Sequence, residues 1–203
     1  MNVCPYCRAE LARLPKRRTV CSSCGRAICV RKGRLYTEDE ARALDWCARF
    51  QIDESAFRHS REKLSVEFGQ PASCSDTVWR LMNEALQRVS SWHERKMIYF
   101  QMARFLWEEK RDSLELRREA VRMELTDWKE KADMGLLDLK RVRLRVITAR
   151  EASCADCRAL DGRLFTFDEA RSAMPVPVAS CTNEKVEGRT RGWCRCEYGL
   201  SFD

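Results

Sequence analysis

Cysteine is the residue type whose number and spacing in this chain point most directly to chemistry. Twelve cysteines occur in 203 residues, and most of them stand in close pairs. Two Cys-x-x-Cys pairs separated by thirteen residues lie near the N-terminus. Paired corners of this kind place four thiolates tetrahedrally around one Zn²⁺, at about 2.3 Å each. We therefore predict a zinc site whose ligands are Cys4, Cys7, Cys21 and Cys24.

The segment that carries this site, residues 1–36, is predicted to form a zinc ribbon. A segment this short cannot bury a sufficient apolar core, so bound metal would supply its folding free energy. Cysteine pairs in a chain without a secretion signal favour zinc over disulfides. Sulfur-rich tetrahedral spacing leaves iron as the only competing metal. Cys29 lies outside the pairs and is predicted to be a small packed apolar residue.

A second group of cysteines near the C-terminus is less regular and has five members. Because zinc takes four ligands, one of the five is surplus. We expect Cys154, Cys157 and Cys194 to bind, with Cys181 or Cys196 as the fourth ligand. The rival interpretation is a redox disulfide switch. It is disfavoured because we expect no helix N-terminus close enough to either Cys-x-x-Cys to lower a thiol pKa.

The elements that must position these cysteines repeat at the two ends of the chain. Each cluster has a Cys-x-x-Cys corner followed by a glycine turn, a short apolar segment and a helix start. Thr37 with Glu40, and Thr166 with Glu169, fit the capping box, in which threonine and glutamate satisfy each other's backbone N–H groups. The pattern predicts two metal-nucleated modules that each lead into a helix.

Positive charge is concentrated at the N-terminal end. The chain carries a formal charge of +7, and residues 1–36 contain nine basic residues and one acidic residue. A basic head on an acidic body suggests contact with a polyanion. A loop between the two zinc corners would present its basic residues to phosphates without reading base sequence. The candidate nucleic-acid-binding residues are Arg13, Lys16, Arg17, Arg18, Arg26, Arg31 and Lys32.

The middle of the chain, residues 37–138, is predicted to be a helical bundle. Apolar residues recur at helical spacing in each predicted segment, and such stripes are best satisfied by packing on one another. Ser75 is the predicted cap of the third helix, and Gly69 and Gly135 are predicted stops. Cys47 and Cys74 are expected to be packed or surface thiols. The predicted helices span 37–50, 53–68, 75–89, 94–110 and 113–133.

In residues 139–150 the apolar residues recur at every second position instead of at helical spacing, which predicts a half-buried strand. Val142, Leu144 and Val146 alternate there with a row of arginines. The row is either a track for phosphates or the exposed side of a strand paired with acidic helices. The arginines of this row are Arg141, Arg143 and Arg145.

The last fifty residues resemble the C-terminal segment of phage head-morphogenesis proteins related to the Mu F protein. The resemblance rests on Cys154-Ala-Asp-Cys157-Arg-Ala-Leu-Asp161-Gly162-Arg-Leu-Phe165, a following Asp-Glu-Ala, Pro175 and Pro177, and the closing Cys194-Arg195-Cys196. It implies a minor head component associated with portal and packaged DNA. The family has a His-Pro before its Cys-Arg-Cys, whereas this chain has Cys181 and a polar insertion, residues 182–193.

Evidence for catalysis is thin, and we predict no catalytic residue. His59 and His93 are the only histidines, and neither belongs to a recognisable catalytic motif. A zinc ion with four thiolate ligands has no open position for water and is structural. We therefore expect a protein that is not an enzyme. The alternative is a metal-dependent enzyme of another type, whose signature would be a zinc ion with an open coordination position.

The complete expectation is a mainly α protein with small α+β zinc modules. It comprises a zinc ribbon (1–36), a helical bundle (37–138), and a strand with a Cys-rich zinc-binding module (139–203). The expected function is a non-enzymatic zinc-binding protein with two zinc ions whose basic ribbon contacts DNA or RNA. The alternative is a phage-type head-morphogenesis or assembly protein acting through protein–protein contacts.

The surroundings of the protein follow from what the sequence lacks. No apolar run approaches the roughly 18 residues of a membrane span. The N-terminus shows no basic-then-apolar signal pattern. We therefore expect no membrane contact and a location in the cytoplasm or inside a phage particle. A protein partner and homo-oligomerisation are left open.

Overall fold

A computed structural model describes residues 2–185, 187–188 and 191–202. Within these ranges the chain forms seven α-helices and two small antiparallel sheets, which confirms in coarse terms the predicted mainly α architecture with small β modules. The chain divides into two compact units, Met1–Ala85 and Leu86–Asp203. The boundary falls inside the segment 37–138, so the helices of that segment are shared between the two units. The division expected from the motifs, into a zinc ribbon, a helical bundle and a C-terminal cysteine-rich module, stays a prediction.

The N-terminal unit begins with a three-stranded antiparallel sheet. Its strands are β1 (Thr19–Val20), β2 (Ala27–Arg31) and β3 (Arg34–Tyr36), in that order across the sheet. Lys32 and Gly33 join β2 to β3, both with positive φ (46° and 73°). Positive φ at both central residues is the geometry that lets a two-residue hairpin follow the twist of its strands. The buried Ile28 packs with Cys4 and Cys21 in a very small core.

Helices α1 (Glu38–Arg49), α2 (Glu54–Phe68) and α3 (Cys74–Arg88) follow the sheet. Both sides of the capping box between Thr37 and Glu40 are made. Asp53 caps α2, and Gly69 ends it in the left-handed conformation, as predicted. The prediction that Ser75 caps α3 is wrong. The hydroxyl of Ser73 accepts from the N–H of Asp76 at 3.0 Å, so the helix starts earlier.

Arginine and tyrosine side chains tie these helices to the sheet. Arg31 donates to the carbonyl of Ala41 at 3.0 Å and pairs with Asp45 at 2.8 Å, which fixes β2 against α1. The Tyr36 hydroxyl donates to Glu54 at 2.7 Å, which fixes β3 against the start of α2. The sheet of this unit is thus held to its helices by specific polar contacts.

In the C-terminal unit, helices α4 (Trp92–Glu108) and α5 (Leu114–Asp133) pack against each other. Gly135, which follows the C-cap residue Met134, has φ 75°, consistent with the predicted stop. Ser91 caps α4 and accepts from the N–H of Glu94 at 3.2 Å. The buried apolar residues of this helix pair are Ile98, Met102, Ala103, Phe105, Leu106, Ala120, Val121 and Leu125.

The second sheet has β4 (Val142–Ile147) at its centre, between β5 (Leu164–Phe165) and β6 (Glu197–Phe202). The predicted strand is confirmed with tighter bounds. Its inward residues Val142, Leu144 and Val146 are buried. Helices α6 (Ala155–Arg158) and α7 (Phe167–Ala173) complete the unit, and the Thr166–Glu169 capping box starts α7.

The core beneath this sheet is shared with α5 and with the cysteine cluster. Val121 and Leu125 of α5 pack with Leu144, Val176 and Tyr198. The five C-terminal cysteines belong to the same cluster of packed residues. In the described part of the chain, no helix combines the length and the hydropathy needed to cross a bilayer.

Candidate metal centres and basic surface

The four N-terminal cysteines converge as the sequence predicts. The sulfur atoms of Cys4, Cys7, Cys21 and Cys24 all lie within 4.8 Å of one another. Cys4 and Cys24 are 3.8 Å apart, as are Cys7 and Cys21. With zinc–sulfur bonds of about 2.3 Å, the edge of a regular tetrahedron of sulfurs is about 3.8 Å. These residues therefore fit a zinc ion.

Two matching turns shape this site. The Cys4 carbonyl accepts from the N–H of Arg8 at 3.0 Å, and the Cys21 carbonyl accepts from the N–H of Gly25 at 2.8 Å. Arg8 and Gly25, each directly after a Cys-x-x-Cys pair, both have positive φ. The backbone N–H groups of Cys24 and Ser23 lower the pKa of Cys21 to about 6, which favours the thiolate that binds metal.

The five C-terminal cysteines form two overlapping groups with sulfurs within 4.8 Å: Cys154, Cys157 and Cys181, and Cys157, Cys194 and Cys196. Cys157 belongs to both groups. Sulfur-to-sulfur distances are 3.8 Å for Cys154–Cys181, 3.5 Å for Cys157–Cys181 and 3.9 Å for Cys157–Cys194. These values lie close to a tetrahedral edge. No four of the five sulfurs all lie within 4.8 Å of one another, so Cys181 and Cys196 are both still candidates for the fourth ligand.

The polar insertion 182–193 closes this cluster. The N–H of Gly192 donates to the Cys181 carbonyl at 2.8 Å, and the N–H of Trp193 donates to Asn183 at 2.6 Å. These contacts bring Cys194 beside Cys181. The N–H of Asn183 donates to the Cys181 sulfur at 3.4 Å, as backbone donors do to thiolate ligands. Val186, Arg189 and Thr190 lie outside the described residues.

The prediction that no helix N-terminus lies close to the Cys154–Cys157 pair is wrong. Helix α6 begins directly after Cys154, which occupies its N-cap position, although no helix start was expected there. The pKa of Cys154 is lowered to about 7: burial opposes the shift, and the N–H groups of Thr182 and Cys157 produce it. The case against a disulfide now comes from geometry, because all twelve cysteines are free thiols and a disulfide needs sulfurs about 2.05 Å apart.

The Cys194-Arg195-Cys196 segment lies just before β6 rather than in a strand. It still points both cysteines inward, because Cys194 and Cys196 are buried and Arg195 is exposed. The pKa of Cys194 is lowered by hydrogen bonds from the thiols of Cys181 and Cys196. A lowered pKa favours the thiolate form of Cys194, which is the form that binds metal.

Arg117 is a buried residue beside this cluster that sequence reasoning missed. Its Nη2 atom donates to the Cys194 carbonyl at 3.2 Å. Its guanidinium lies 4.5 Å from the ring centre of Phe100 and 5.0 Å from that of Trp193. Burial lowers the pKa of Arg117. The sequence does indicate its burial, because this arginine stands three residues after Leu114 and four before Val121, on the apolar face of α5.

The basic residues of the ribbon separate into two groups. Arg18 pairs with Glu38, Arg31 with Asp45, and Arg26 lies over the Tyr6 ring at 5.1 Å. The other group is exposed and makes no salt bridge among the described residues. Its members are Arg13, Lys16, Arg17 and Lys32.

Residues 10–20 of the ribbon form an open groove. Its walls include Arg13, Lys16, Arg17 and Arg18, and Leu14 lies between them with 41% of its surface exposed. A groove with basic walls and an apolar residue is suited to an extended phosphate backbone and its sugars.

The arginine row of β4 also makes no salt bridge in the part of the chain that is described. Arg145 is exposed and Arg143 half-buried. Arg143 contributes to lowering the pKa of Glu169, after the hydrogen bonds that the Thr166 backbone and side chain make to that carboxylate. Both interpretations of the row remain open. His59, on α2, and His93, in the first turn of α4, are exposed.

Comparison of the chain with protein-family models, with curated proteins and with solved structures gives no match. The residues and their geometry therefore carry the functional argument. They define two cysteine clusters compatible with zinc binding.

Proposed function

We propose that this protein is a non-enzymatic zinc-binding protein whose N-terminal ribbon contacts nucleic acid through phosphates. The observation that carries the proposal is a set of exposed cations without carboxylate partners among the described residues. Arg13, Lys16 and Arg17 occupy the loop between the two zinc corners. Lys32, at the hairpin tip of β2 and β3, is the fourth.

The internal contacts of the ribbon narrow the predicted set of binding residues. Arg18 and Arg31 already have carboxylate partners within the protein, and Arg26 lies over Tyr6. Phosphates would have to compete with those contacts. The free cations Arg13, Lys16, Arg17 and Lys32 therefore supply most of the affinity in this account.

The role of zinc in this proposal is to hold the loop. The core beneath the ribbon has Ile28 as its main apolar side chain. A core this small does not fix a loop by burial alone, so four metal–thiolate bonds would fix it instead. When bound, zinc supplies structure and no chemistry, because four thiolates leave it no open position.

Phosphate contacts give this binding a recognisable signature. Each neutralised phosphate releases a condensed counterion, so affinity falls steeply as salt increases, with a slope of about −0.9 per contact on duplex DNA. Such contacts do not distinguish base sequences. The proposal therefore predicts strong salt dependence and little sequence preference.

The test is fluorescence anisotropy of labelled single- and double-stranded DNA and RNA across a salt series, with zinc-replete protein. The variant carries Arg13→Gln, Lys16→Gln and Arg17→Gln. The matched control loses the same charge at exposed positions elsewhere, through Lys63→Gln, Arg171→Gln and Lys185→Gln. We expect the ribbon variant to bind at least tenfold more weakly and with a flatter salt slope, and the control to bind nearly as the parent does. Equal losses in both variants would contradict the proposal.

A second candidate is the phage-type assembly role. It is favoured by the fact that the residues carrying that resemblance fold as one module. Asp161 accepts from the N–H and hydroxyl of Thr148, and the N–H of Gly162 donates to the Val146 carbonyl at 3.0 Å. The Asp161-Gly162 turn of the resembling segment thus holds the chain beside the cysteine cluster to strand β4 and the residue after it. Portal and terminase genes beside the coding gene would support this candidate, and their absence would weaken it.

A further inference from the structure

The five C-terminal cysteines differ from the four cysteines of the ribbon in how their sulfur atoms are grouped. In the ribbon, all four sulfurs lie within 4.8 Å of one another, as one tetrahedral metal ion requires. At the C-terminal cluster the same limit encloses only three sulfurs at a time. The first group is Cys154, Cys157 and Cys181, and the second is Cys157, Cys194 and Cys196. Within the described residues, this cluster therefore offers two three-thiol sites that share one sulfur.

The number of sulfurs in each group indicates which metal it suits. Three thiolates in a plane around an ion, with bonds of about 2.3 Å, have sulfurs about 4.0 Å apart. The sulfurs of Cys154 and Cys181 are 3.8 Å apart in the first group, and those of Cys157 and Cys194 are 3.9 Å apart in the second. These separations suit planar and tetrahedral coordination alike, so the count of three decides. Zinc would lack its fourth ligand, whereas copper(I) accepts three thiolates and is a metal that soft sulfur ligands select.

The cluster is shielded from water. Cys157, Cys181, Cys194 and Cys196 are at most 5% exposed and belong to the apolar core of the C-terminal unit. Dry, apolar surroundings suit copper(I), because they keep away the water and oxygen that favour copper(II). Cys154 is half-buried, so its sulfur is the ligand that an entering ion reaches first.

Each of the two groups has a backbone donor of its own. The N–H of Asn183 donates to the Cys181 sulfur at 3.4 Å, and the N–H of Val178 donates to the Cys194 sulfur at 3.3 Å. Hydrogen bonds of this kind favour the thiolate over the thiol. Buried Arg117 adds a positive charge beside the second group, where it donates to the Cys194 carbonyl at 3.2 Å. Five thiolates with two copper(I) ions carry net negative charge, which this cation partly offsets.

We propose that the C-terminal cluster binds two copper(I) ions, each held by three thiolates and bridged by the Cys157 sulfur. Cys154 and Cys181 complete the first site, and Cys194 and Cys196 complete the second. The metal enters as copper(I), the thiols release their protons to solvent, and no electron is transferred. The proposal rests on the metal-binding part of the proposed function and adds a metal that uses all five thiols. Zinc, in contrast, has to draw a fourth sulfur towards one group and leaves the fifth thiol unused.

The test is native mass spectrometry of the full chain, loaded with copper(I) without oxygen at a free concentration fixed by the chelator bicinchoninate. Copper bound at the ribbon is common to all variants, so differences in copper count report the C-terminal cluster. We expect Cys154→Ser and Cys196→Ser each to bind one ion fewer than the parent, since each breaks one site. Cys157→Ser should bind two fewer, since it breaks both. The matched control Cys29→Ser removes a thiol outside both clusters and should bind as many ions as the parent.

Two copper counts would overturn the proposal. One is a Cys196→Ser count equal to that of the parent. The other is a Cys157→Ser variant that loses no more copper than Cys154→Ser, which would mean that the sulfur is not shared. Because Cys157→Ser could lose copper by failing to fold, copper X-ray absorption gives a second measurement on a chain with serine at all four ribbon cysteines. It should show three sulfur neighbours and one copper neighbour per ion, and spectra without a copper neighbour would also overturn the proposal.

The copper proposal and the proposed function fail in different ways. Zinc at both clusters together with equal copper counts for the parent and Cys196→Ser would overturn the copper proposal alone. A parent that binds neither metal at the C-terminal cluster would contradict both the copper proposal and zinc binding there. Oligonucleotide binding by the ribbon does not enter either measurement.

Discussion

The sulfur atoms of Cys4 and Cys24 lie 3.8 Å apart, although twenty positions separate the two residues in the chain. The distance is too long for a disulfide and close to the edge of a zinc–thiolate tetrahedron. The same distance joins Cys7 and Cys21. Two cysteine corners have thus folded around a point at which a metal ion fits, and the basic loop 8–20 spans the chain between them.

Glu54 provides a pH test of how the ribbon is held to α2. The Tyr36 hydroxyl donates to this carboxylate, and Arg58 donates to it as well. These contacts, with the Tyr36 hydrogen bond the largest, lower the pKa of Glu54. The stability it contributes is therefore fully present above the unfolded-state pKa of about 4.3 and is lost only as pH falls through the lower folded-state value.

We expect Glu54→Gln to destabilise the N-terminal unit by about 1 kcal/mol at pH 7. The difference in free energy of unfolding between the parent and this variant should stay constant between pH 7 and pH 5. Over that range Glu54 remains ionised in both the folded and the unfolded protein. Glu62→Gln, an exposed change on the same helix, should have little effect. Denaturant titrations followed by circular dichroism measure both variants. If the difference in unfolding free energy between the parent and Glu54→Gln shrinks already between pH 7 and pH 5, the Glu54 carboxylate does not hold the ribbon to α2.

The first capping box gives a prediction about local stability. The Thr37 hydroxyl accepts from the N–H of Glu40 at 3.1 Å, and the Glu40 carboxylate accepts from the N–H of Thr37. Thr37→Ala should lower the free energy of unfolding by about 1 kcal/mol, because alanine at the cap leaves the N–H of Glu40 without an acceptor. Thr37→Ser keeps the hydroxyl and should recover most of the loss. Equal destabilisation by Ala and Ser in thermal melts would mean that the hydroxyl is not the stabilising group.

These caps also show what sequence can predict. The ends of α1 and α2 follow from Thr37, Asp53 and Gly69, because capping is chemistry between residues a few positions apart. The third helix was placed less well, since Ser73 and Ser75 both offer a hydroxyl near its start and only Ser73 caps it. The strand at 142–147 was predictable because its alternation reports burial on one face.

Contacts between distant residues were beyond prediction from one sequence. Arg117 reaches the Cys194 carbonyl across 77 positions. Helical periodicity places Arg117 on the buried face of α5 but cannot name what it meets there. Likewise, five cysteines within one segment do not reveal that Cys157 lies in both groups of sulfurs. That arrangement depends on how the insertion 182–193 closes.

Gly192 tests how that insertion supports the C-terminal cluster. A Cβ atom at this position would lie 2.1 Å from the Asn183 carbonyl oxygen, which is backbone and cannot easily move. Gly192→Ala should therefore separate Cys181 from Cys194 and weaken metal binding at this cluster at least tenfold. The matched change Gly199→Ala meets only the flexible end of the Ile147 side chain, so its effect should be small.

Competition between cobalt-loaded protein and a chelator, followed by thiolate charge-transfer absorbance, measures this effect. The N-terminal site serves as an internal reference in both proteins. If Gly192→Ala leaves the C-terminal site as tight as in the parent, the contacts between 181–183 and 192–193 do not hold the cluster.

The three cysteines outside the clusters should differ in reactivity. Burial raises the pKa of Cys47 to about 11, and burial also raises the pKa of Cys74. Alkylation requires the thiolate, so both should react slowly at pH 7.5. Cys29, half-buried on β2, should be modified first in zinc-loaded protein. Mass-spectrometric mapping after brief iodoacetamide treatment checks the order, and modification of Cys47 ahead of Cys29 would contradict it.

The central claim is that the two cysteine clusters each organise one zinc ion. Native mass spectrometry of the protein purified with zinc tests it most directly, with Cys4→Ser/Cys7→Ser and Cys154→Ser/Cys157→Ser as paired variants. We predict two zinc ions in the parent and one in each variant. A metal-free parent with disulfides, or a variant that keeps both ions, would contradict the claim.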